Sequence, residues 1–69
     1  MFAKDAGWRM KQMRKLLGIS REEMARECGT SARTIKRIEH GQQMMTAELL
    51  ARVCMTLGVS ADYVLGLAD

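Results

Sequence analysis

The sequence predicts a small all-α fold, a compact five-helix domain. Apolar residues recur at helical spacing along the chain, and no alternation typical of a strand persists beyond a few residues. The chain has six glycines and no proline, and most of the glycines fall where the helical pattern breaks. Shortly after these breaks comes a serine or threonine, residues that favour helix N-termini. Together these observations predict short helices separated by tight turns.

Each predicted helix is bounded by residues that favour its start or its stop. Helix one is predicted from about Asp5 to Leu17, and Gly18 closes it. Ser20, with Glu23 three residues later, has the spacing of a capping box, so helix two should begin at the next residue. The predicted N-caps of helices two to five are Ser20, Ser31, Thr46 and Ser60. The predicted ends are Gly29, His40, Leu57 and, roughly, Leu67.

The predicted core is built from the apolar faces of these helices. Helices two and three share an apolar spine of Met24, Ala25, Cys28, Ile35 and Ile38. Helix one adds Met10, Met13 and Leu17, and the second half adds Leu49, Leu50, Val53, Leu57 and Val59. Cys28 and Cys54 lie at apolar-face positions, and the chain has one histidine. We therefore expect buried free thiols, no metal site and no cofactor.

Composition indicates one packed globular domain over residues 1–69, since 48% of the residues are apolar and 28% are charged. A chain this short has a marginal core, which a dimer partner would reinforce. Nothing resembles a signal peptide or a membrane span. The sequence therefore predicts a soluble, cytoplasmic protein without a membrane partner.

Positive charge is concentrated in the first part of the chain. Residues 1–41 carry ten Lys and Arg against five Asp and Glu, whereas residues 42–69 carry one against three. Such asymmetry favours a nucleic acid or an acidic partner. Three of these cations, Arg33, Lys36 and Arg37, project from helix three away from its apolar side. Two short helices around a tight turn with a basic outer face are the layout of a helix-turn-helix that contacts DNA.

Most of the chain, residues 10–66, resembles the phage repressor and Cro type of helix-turn-helix domain, also called the Xre or lambda-repressor-like family. The residues that carry this resemblance are the runs MKQMR, GIS and REEMA, the turn at Gly29, TIKRIEHG and LGVSADYVLG. The resemblance implies a helix-turn-helix motif at about residues 21–40, formed by helices two and three. It also implies operator binding, commonly as a dimer, with helix three in the major groove.

Matching the family motif assigns the base-contacting positions. Ala32 and Arg33 are the first exposed positions of helix three, and Arg37 shares a face with Arg33 one turn later. An arginine can donate two hydrogen bonds to guanine, so Arg33 and Arg37 are the expected base readers, and Ala32 could contact a thymine methyl. The alternative is an ordinary solvated helix face.

Phosphate contacts are expected at the edges of the same surface. The expected residues are Lys11, Arg21, Thr34, Lys36, His40, Gln42 and Gln43. The family usually has glutamine at the position of Arg21, and arginine keeps a donor and adds a charge. At Gln42 and Gln43 the family often has lysine or arginine, and the loss of those charges could weaken binding to the DNA backbone.

Arg14 and Glu39 form a predicted structural salt bridge. Glu39 falls beside Ile35 and Ile38, where a lone carboxylate would be costly. In domains that this sequence resembles, an arginine and a glutamate at these positions pair across the core. The alternative is that Glu39 faces solvent and pairs with Lys36.

The C-terminal helices, residues 46–67, are expected to complete the core and to form the dimer interface. The candidate interface residues are Tyr63, Val64, Leu65 and Leu67. A two-fold axis there would place the recognition helices about 34 Å apart. Met44 and Met45 either pack inward or widen that interface. Trp8 covers the core edge, faces a partner, or is incidental.

The sequence therefore predicts a prokaryotic or phage-encoded transcriptional regulator that binds double-stranded DNA. We expect it to be a repressor that binds a palindromic operator as a homodimer. An enzyme is not expected, because the chain has no set of catalytic groups to converge in a pocket. No small-molecule ligand is evident. The alternative is an antitoxin or protein-interaction module that reuses the same fold.

Overall fold

A computed structural model describes residues 3–67 of the chain, and within them it contains five helices and no strand. The helices are α1 Ala3–Leu16, α2 Arg21–Cys28, α3 Ala32–Glu39, α4 Ala47–Leu57 and α5 Ala61–Leu65. The radius of gyration is 10.4 Å, close to the value of about 11 Å expected for a compact domain of this length. The prediction of a compact all-α fold with five helices is confirmed.

The predicted starts of helices two to five are also confirmed, whereas α1 begins at Ala3, two residues before the predicted Asp5. Ser20, Ser31, Thr46 and Ser60 are the N-caps of α2 to α5. Each hydroxyl oxygen accepts a hydrogen bond from the backbone N–H three residues later, at 3.0 or 3.1 Å. At α2 the bond is reciprocal, because Glu23 Oε1 accepts from the N–H of Ser20 at 3.1 Å. These caps satisfy N–H groups that have no partner within the helix.

Four predicted helix ends need correction, and α2 and α3 end at Cys28 and Glu39, one residue before the predicted Gly29 and His40. Helix α1 stops at Leu16, and α5 stops at Leu65, two residues before the predicted end. Gly66 adopts a left-handed φ of 77°, and the N–H of Leu67 reaches back to the carbonyl of Asp62 at 2.8 Å. That bond closes the helix, and glycine accepts the required backbone angle without strain.

The core contains every member of the apolar spine. Its buried residues are Met10, Met24, Ala25, Cys28, Ile35, Ile38, Val53 and Leu57. Met13, Leu49 and Val59 are partly buried against it. Leu17 was expected here but is 49% exposed, because α1 ends before it and Ile19, after the turn, packs against the core instead.

Helix α3 is held between α1 and α2, which leaves one of its faces uncovered by the rest of the described chain. Helix α4 packs on α2, and α5 closes against α1 and α4. Cys28 is buried and Cys54 is half-buried, and both thiols are free. Among residues 3–67, no helix is long and apolar enough to cross a membrane.

Candidate nucleic-acid interface

The outer face of α3 carries three exposed cations. Ile35 and Ile38 are buried on the inner face, and Ser31 caps the helix at its N-terminus. Arg33, Lys36 and Arg37 are exposed on the other side; these three residues are called the basic face below. Because the inner face is fully packed, the helix has little freedom to rotate, and the basic face keeps one orientation.

The remaining predicted contacts on α3 are less exposed. Ala32 is half-buried and packs against the core. Thr34 is also half-buried, and its Oγ1 accepts a hydrogen bond from the Ser31 hydroxyl at 3.0 Å. Both side chains therefore have less surface to offer to DNA than the three cations do.

The predicted phosphate-contacting residues outside α3 lie in three places. His40 is exposed at the C-cap of α3, and Gln42 and Gln43 are exposed in the turn that follows. Lys11 is half-buried on α1. Arg21 is the first residue of α2, and its side chain is 30% exposed. The structure thus brings the glutamines and His40 to the end of α3, next to the basic face.

Glu39, the last residue of α3, is ion-paired inside the protein. Its Oε2 lies 2.6 Å from Arg14 Nε, and its Oε1 accepts from Arg14 Nη2 at 3.2 Å. The Glu39 side chain has no exposed surface, and the Arg14 side chain is 9% exposed. The alternative pairing with Lys36 in solvent does not occur, because the carboxylate faces α1.

Two contacts in this region were missed by the sequence analysis. Arg21 Nε donates to Glu39 Oε1 at 2.9 Å, so the carboxylate has a second arginine partner. Gly7 lies in α1 against the backbone of Ile38 and Glu39, with no room for a Cβ. A glycine within a helical pattern costs stability and could have indicated such a close approach. No comparable local signal links Arg21 to Glu39.

Among the residues that the structure describes, two titratable side chains have shifted pKa values, and neither belongs to the basic face. The pKa of Glu23 is lowered, chiefly by the hydrogen bond from the Ser20 backbone N–H, then by the Ser20 side chain and the charge of Arg26. Burial raises the pKa of the Cys54 thiol. Among residues 3–67, no cluster of three His, Cys, Asp or Glu side chains is placed to hold a metal ion.

The candidate dimer residues divide by exposure. Leu67 is 71% exposed, and Tyr63 and Leu65 are half-buried. Val64 has no exposed surface, because it lies on the side of α5 that packs against the rest of the chain. The prediction of Val64 as an interface residue is therefore wrong: it is a core residue and cannot reach a partner.

The structure also places the residues whose roles were open. Met45 packs inward against the core, whereas Met44 is 61% exposed. Met44 lines a small apolar pit between α1, the end of α3, α4 and α5, whose other lining residues include Ala6, Leu50 and Leu65. Trp8 is exposed on α1.

Two capped helices around a left-handed glycine, with a basic outer face on the second, define a helix-turn-helix DNA-binding domain. The helix-turn-helix family model HTH_3 matches residues 10–64. The chain belongs to this family, whose members are of the Xre, lambda repressor and Cro type.

Solved structures of regulators share the fold. Two structures of the clp gene regulator ClgR from Corynebacterium glutamicum are 29% identical to this chain and cover 94% of it. Their TM-scores are 0.89 and 0.86, over 69% and 84% of those chains. The restriction-modification controller protein C.AhdI from Aeromonas hydrophila is 19% identical, with a TM-score of 0.84 over 90% of this chain and 94% of that one. This last likeness concerns the fold alone.

No curated protein matches the sequence significantly. The family and the ClgR structures place this chain among DNA-binding transcriptional regulators.

Proposed function

We propose that the protein is a transcriptional repressor that binds a palindromic operator as a homodimer. The observation that carries this proposal is the contrast between the two faces of α3. Its inner face, at Ile35 and Ile38, is buried, and the exposed residues of its outer face before the C-cap are all cations. A rigid helix with this surface suits the major groove, where phosphates and base acceptors are close together.

Arg33 and Arg37 are the proposed base readers. They are four residues apart on one exposed helix face, a rise of about 6 Å. Each guanidinium can donate two parallel hydrogen bonds to O6 and N7 of a guanine, so we expect G·C pairs in each half-site. Ala32 would add at most a methyl contact to thymine, since part of its surface is used in the core.

The proposed phosphate contacts surround these two arginines. They comprise Lys11, Arg21, Thr34, Lys36, His40, Gln42 and Gln43. Lys36 is the best placed of them, because it is exposed on the basic face itself. The glutamines contribute donors without a charge, so most of the electrostatic attraction must come from the lysines and arginines.

The proposed dimer interface lies on α5 and the residues beside it. Leu67 and Met44 are large apolar side chains exposed to solvent, and Tyr63 and Leu65 are only half-buried. A two-fold axis through this surface would set the two copies of α3 about 34 Å apart, one turn of DNA. The buried Val64 supports α5 from beneath and makes no contact with the partner.

We also propose that residues 1–69 act as one domain, with the motif at about 21–40, in the cytoplasm of a bacterium or a phage-infected cell. This setting follows from the proposed operator, which the protein must reach in the same compartment.

Selection of binding sites from random double-stranded DNA tests the proposal. We expect a two-fold symmetric site whose half-sites are centred about 10 base pairs apart. We also expect log affinity for that site to fall steeply with log salt concentration. Selection of no common sequence, or a flat salt response, would contradict the proposed function. Repressor action is tested separately by placing the selected site over a promoter and measuring reporter output.

A further inference from the structure

The carboxylate of Glu39 joins three parts of the chain. Glu39 is the last residue of α3, and its carboxylate is bound by Arg14 from α1 and by Arg21 from the start of α2. Arg14 also donates from Nη1 to the carbonyl of Ile19 at 2.7 Å, in the turn between these two helices. We call Arg14, Arg21 and Glu39 the triad. Through it, the C-terminal end of the recognition helix is tied to both helices that pack against it.

The triad carries a surplus positive charge. It contains two guanidinium groups and one carboxylate, and within residues 3–67 Glu39 is the acid that pairs with either arginine. Glu39 is fully buried and Arg14 nearly so, whereas 30% of the Arg21 side chain is exposed. Because the two guanidinium groups share Glu39 Oε1, they lie close together and repel each other in a partly desolvated site.

Within residues 3–67, Arg21 is the member of the triad that has hydrogen-bonding capacity left. Arg14 uses all three of its guanidinium nitrogens within the protein. Arg21 donates through Nε, on the side that faces Glu39. A guanidinium has five N–H donors in a fixed planar fork, and in the part of the chain that the structure describes the terminal nitrogens of Arg21 make no hydrogen bond, so they are available to a ligand.

We infer that Arg21 is a positioning residue that links a DNA phosphate to the recognition helix through Glu39. Its Nε holds the carboxylate at the end of α3, and its terminal N–H groups bind a phosphodiester oxygen. The phosphate is then the fourth member of the network and neutralises its surplus charge. This inference rests on the proposed function. It goes further because it couples the phosphate contact of Arg21, which by itself carries no sequence information, to the orientation of α3, the helix proposed to read bases.

The coupling has a thermodynamic consequence. A phosphate at Arg21 offsets the repulsion between the two arginines and stabilises the triad, which holds α3 in its observed position. By linkage, an intact triad strengthens the phosphate contact to the same degree. Loss of Arg21 should therefore reduce both overall DNA affinity and the discrimination between operator and random DNA.

The test compares three variants, R21Q, R21K and R26Q, on the selected site and on random-sequence DNA across a range of salt concentrations. R26Q is the matched control, because Arg26 is an exposed arginine in the last turn of the same helix. For R21Q we expect the salt slope to fall by about one and the ratio of specific to non-specific affinity to fall at least about fivefold. R26Q should change neither.

R21K separates the two roles. Lysine keeps the charge, so the salt slope should stay near the wild-type value. A compact ammonium cannot reproduce the planar fork that serves Glu39 and a phosphate at once, so the specificity ratio should still fall. Circular dichroism of each variant checks that the helices are intact.

Three results would overturn the inference while the proposed function stands. An unchanged salt slope in R21Q would mean that Arg21 serves Glu39 only. A reduced slope with an unchanged specificity ratio would mean that the phosphate contact is independent of α3. If R21Q does not fold, an unchanged ratio in R21K overturns the coupling. Failure of the wild-type protein to select any DNA instead refutes the proposed function itself.

Discussion

The backbone of Gly7 in α1 lies directly against the backbone of Ile38 in α3. A Cβ on Gly7 would overlap the Ile38 carbonyl oxygen and would lie 2.7 Å from its carbonyl carbon and 3.1 Å from the Cα of Glu39. The obstructing atoms belong to the backbone, so no side chain can rotate away. Seven residues later, Arg14 binds the side chain of the same Glu39. Helix α1 therefore holds the C-terminal half of the recognition helix at two points.

Replacing Gly7 with alanine should destabilise the fold by about 2–3 kcal/mol, because α1 and α3 must move apart. This loss exceeds the gain of about 1 kcal/mol that alanine brings to a helix. Urea denaturation measures the change. Gln12→Ala is the control, since Gln12 is exposed on the same helix. Equal stability of the two variants would show that the close approach is unimportant.

Replacing Glu39 with glutamine should cost about 3–5 kcal/mol, because two arginines lose the carboxylate that pairs with them at a buried site. Thermal and urea denaturation provide the measurement. Glu27→Gln, an exposed change on α2, removes the same charge and should cost less than about 0.5 kcal/mol. A cost at Glu39 as small as the cost at Glu27 would contradict the role assigned to the ion pair.

The capping box at the start of α2 should make stability depend on acid pH. The pKa of Glu23 is lowered in the folded protein by the hydrogen bonds with Ser20. Its stabilising contribution is therefore present above the ordinary value of 4.5 and is lost as pH falls from there through the lower folded value. In Glu23→Gln the acceptor is kept and the titration is removed.

The melting temperature of Glu23→Gln should therefore fall less than that of the wild type when the pH is lowered from 7 to about 3. Glu22→Gln, which removes the neighbouring charge outside the capping box, is the control. If the wild type and Glu23→Gln lose stability in parallel, the capping carboxylate does not contribute to acid sensitivity.

Replacing Arg33 or Arg37 with alanine should relax the base preference at particular positions of the selected site, at a cost of about 1–3 kcal/mol for the preferred base pair. Binding of single-base variants of the site measures this effect. Lys36→Ala is the comparison, because loss of a phosphate contact weakens all sequences uniformly and lowers the salt slope by about one. Uniform weakening by the arginine variants would reassign them to the phosphates.

Replacing Leu67 with aspartate should shift the protein from dimer to monomer, because it places a charge in the proposed apolar interface. Leu67 is exposed in the monomer, so the fold should be retained. Sedimentation velocity gives the oligomeric state. Leu16→Asp makes the same change at an exposed leucine on α1 and should leave the dimer intact. A dimer that survives Leu67→Asp would place the interface elsewhere.

The exposure of the basic face was predictable because helix periodicity separates an inner from an outer face. With Ile35 and Ile38 inside, Arg33, Lys36 and Arg37 had to face outward. Periodicity does not tell how far a face is covered by the next helix. For this reason Val64 was wrongly predicted to lie in the dimer interface, although the packing of α5 on the rest of the chain buries it completely.

The amino-acid sequence by itself determined where α2 to α5 begin and, within one or two residues, where the helices end. Caps such as Ser20 and stops such as Gly29 act on backbone groups within a few residues, so their effect is local. Only the tertiary structure decided which distant groups meet. Glu39 binds arginines 25 and 18 residues away, and these contacts depend on the angles at which α1, α2 and α3 pack.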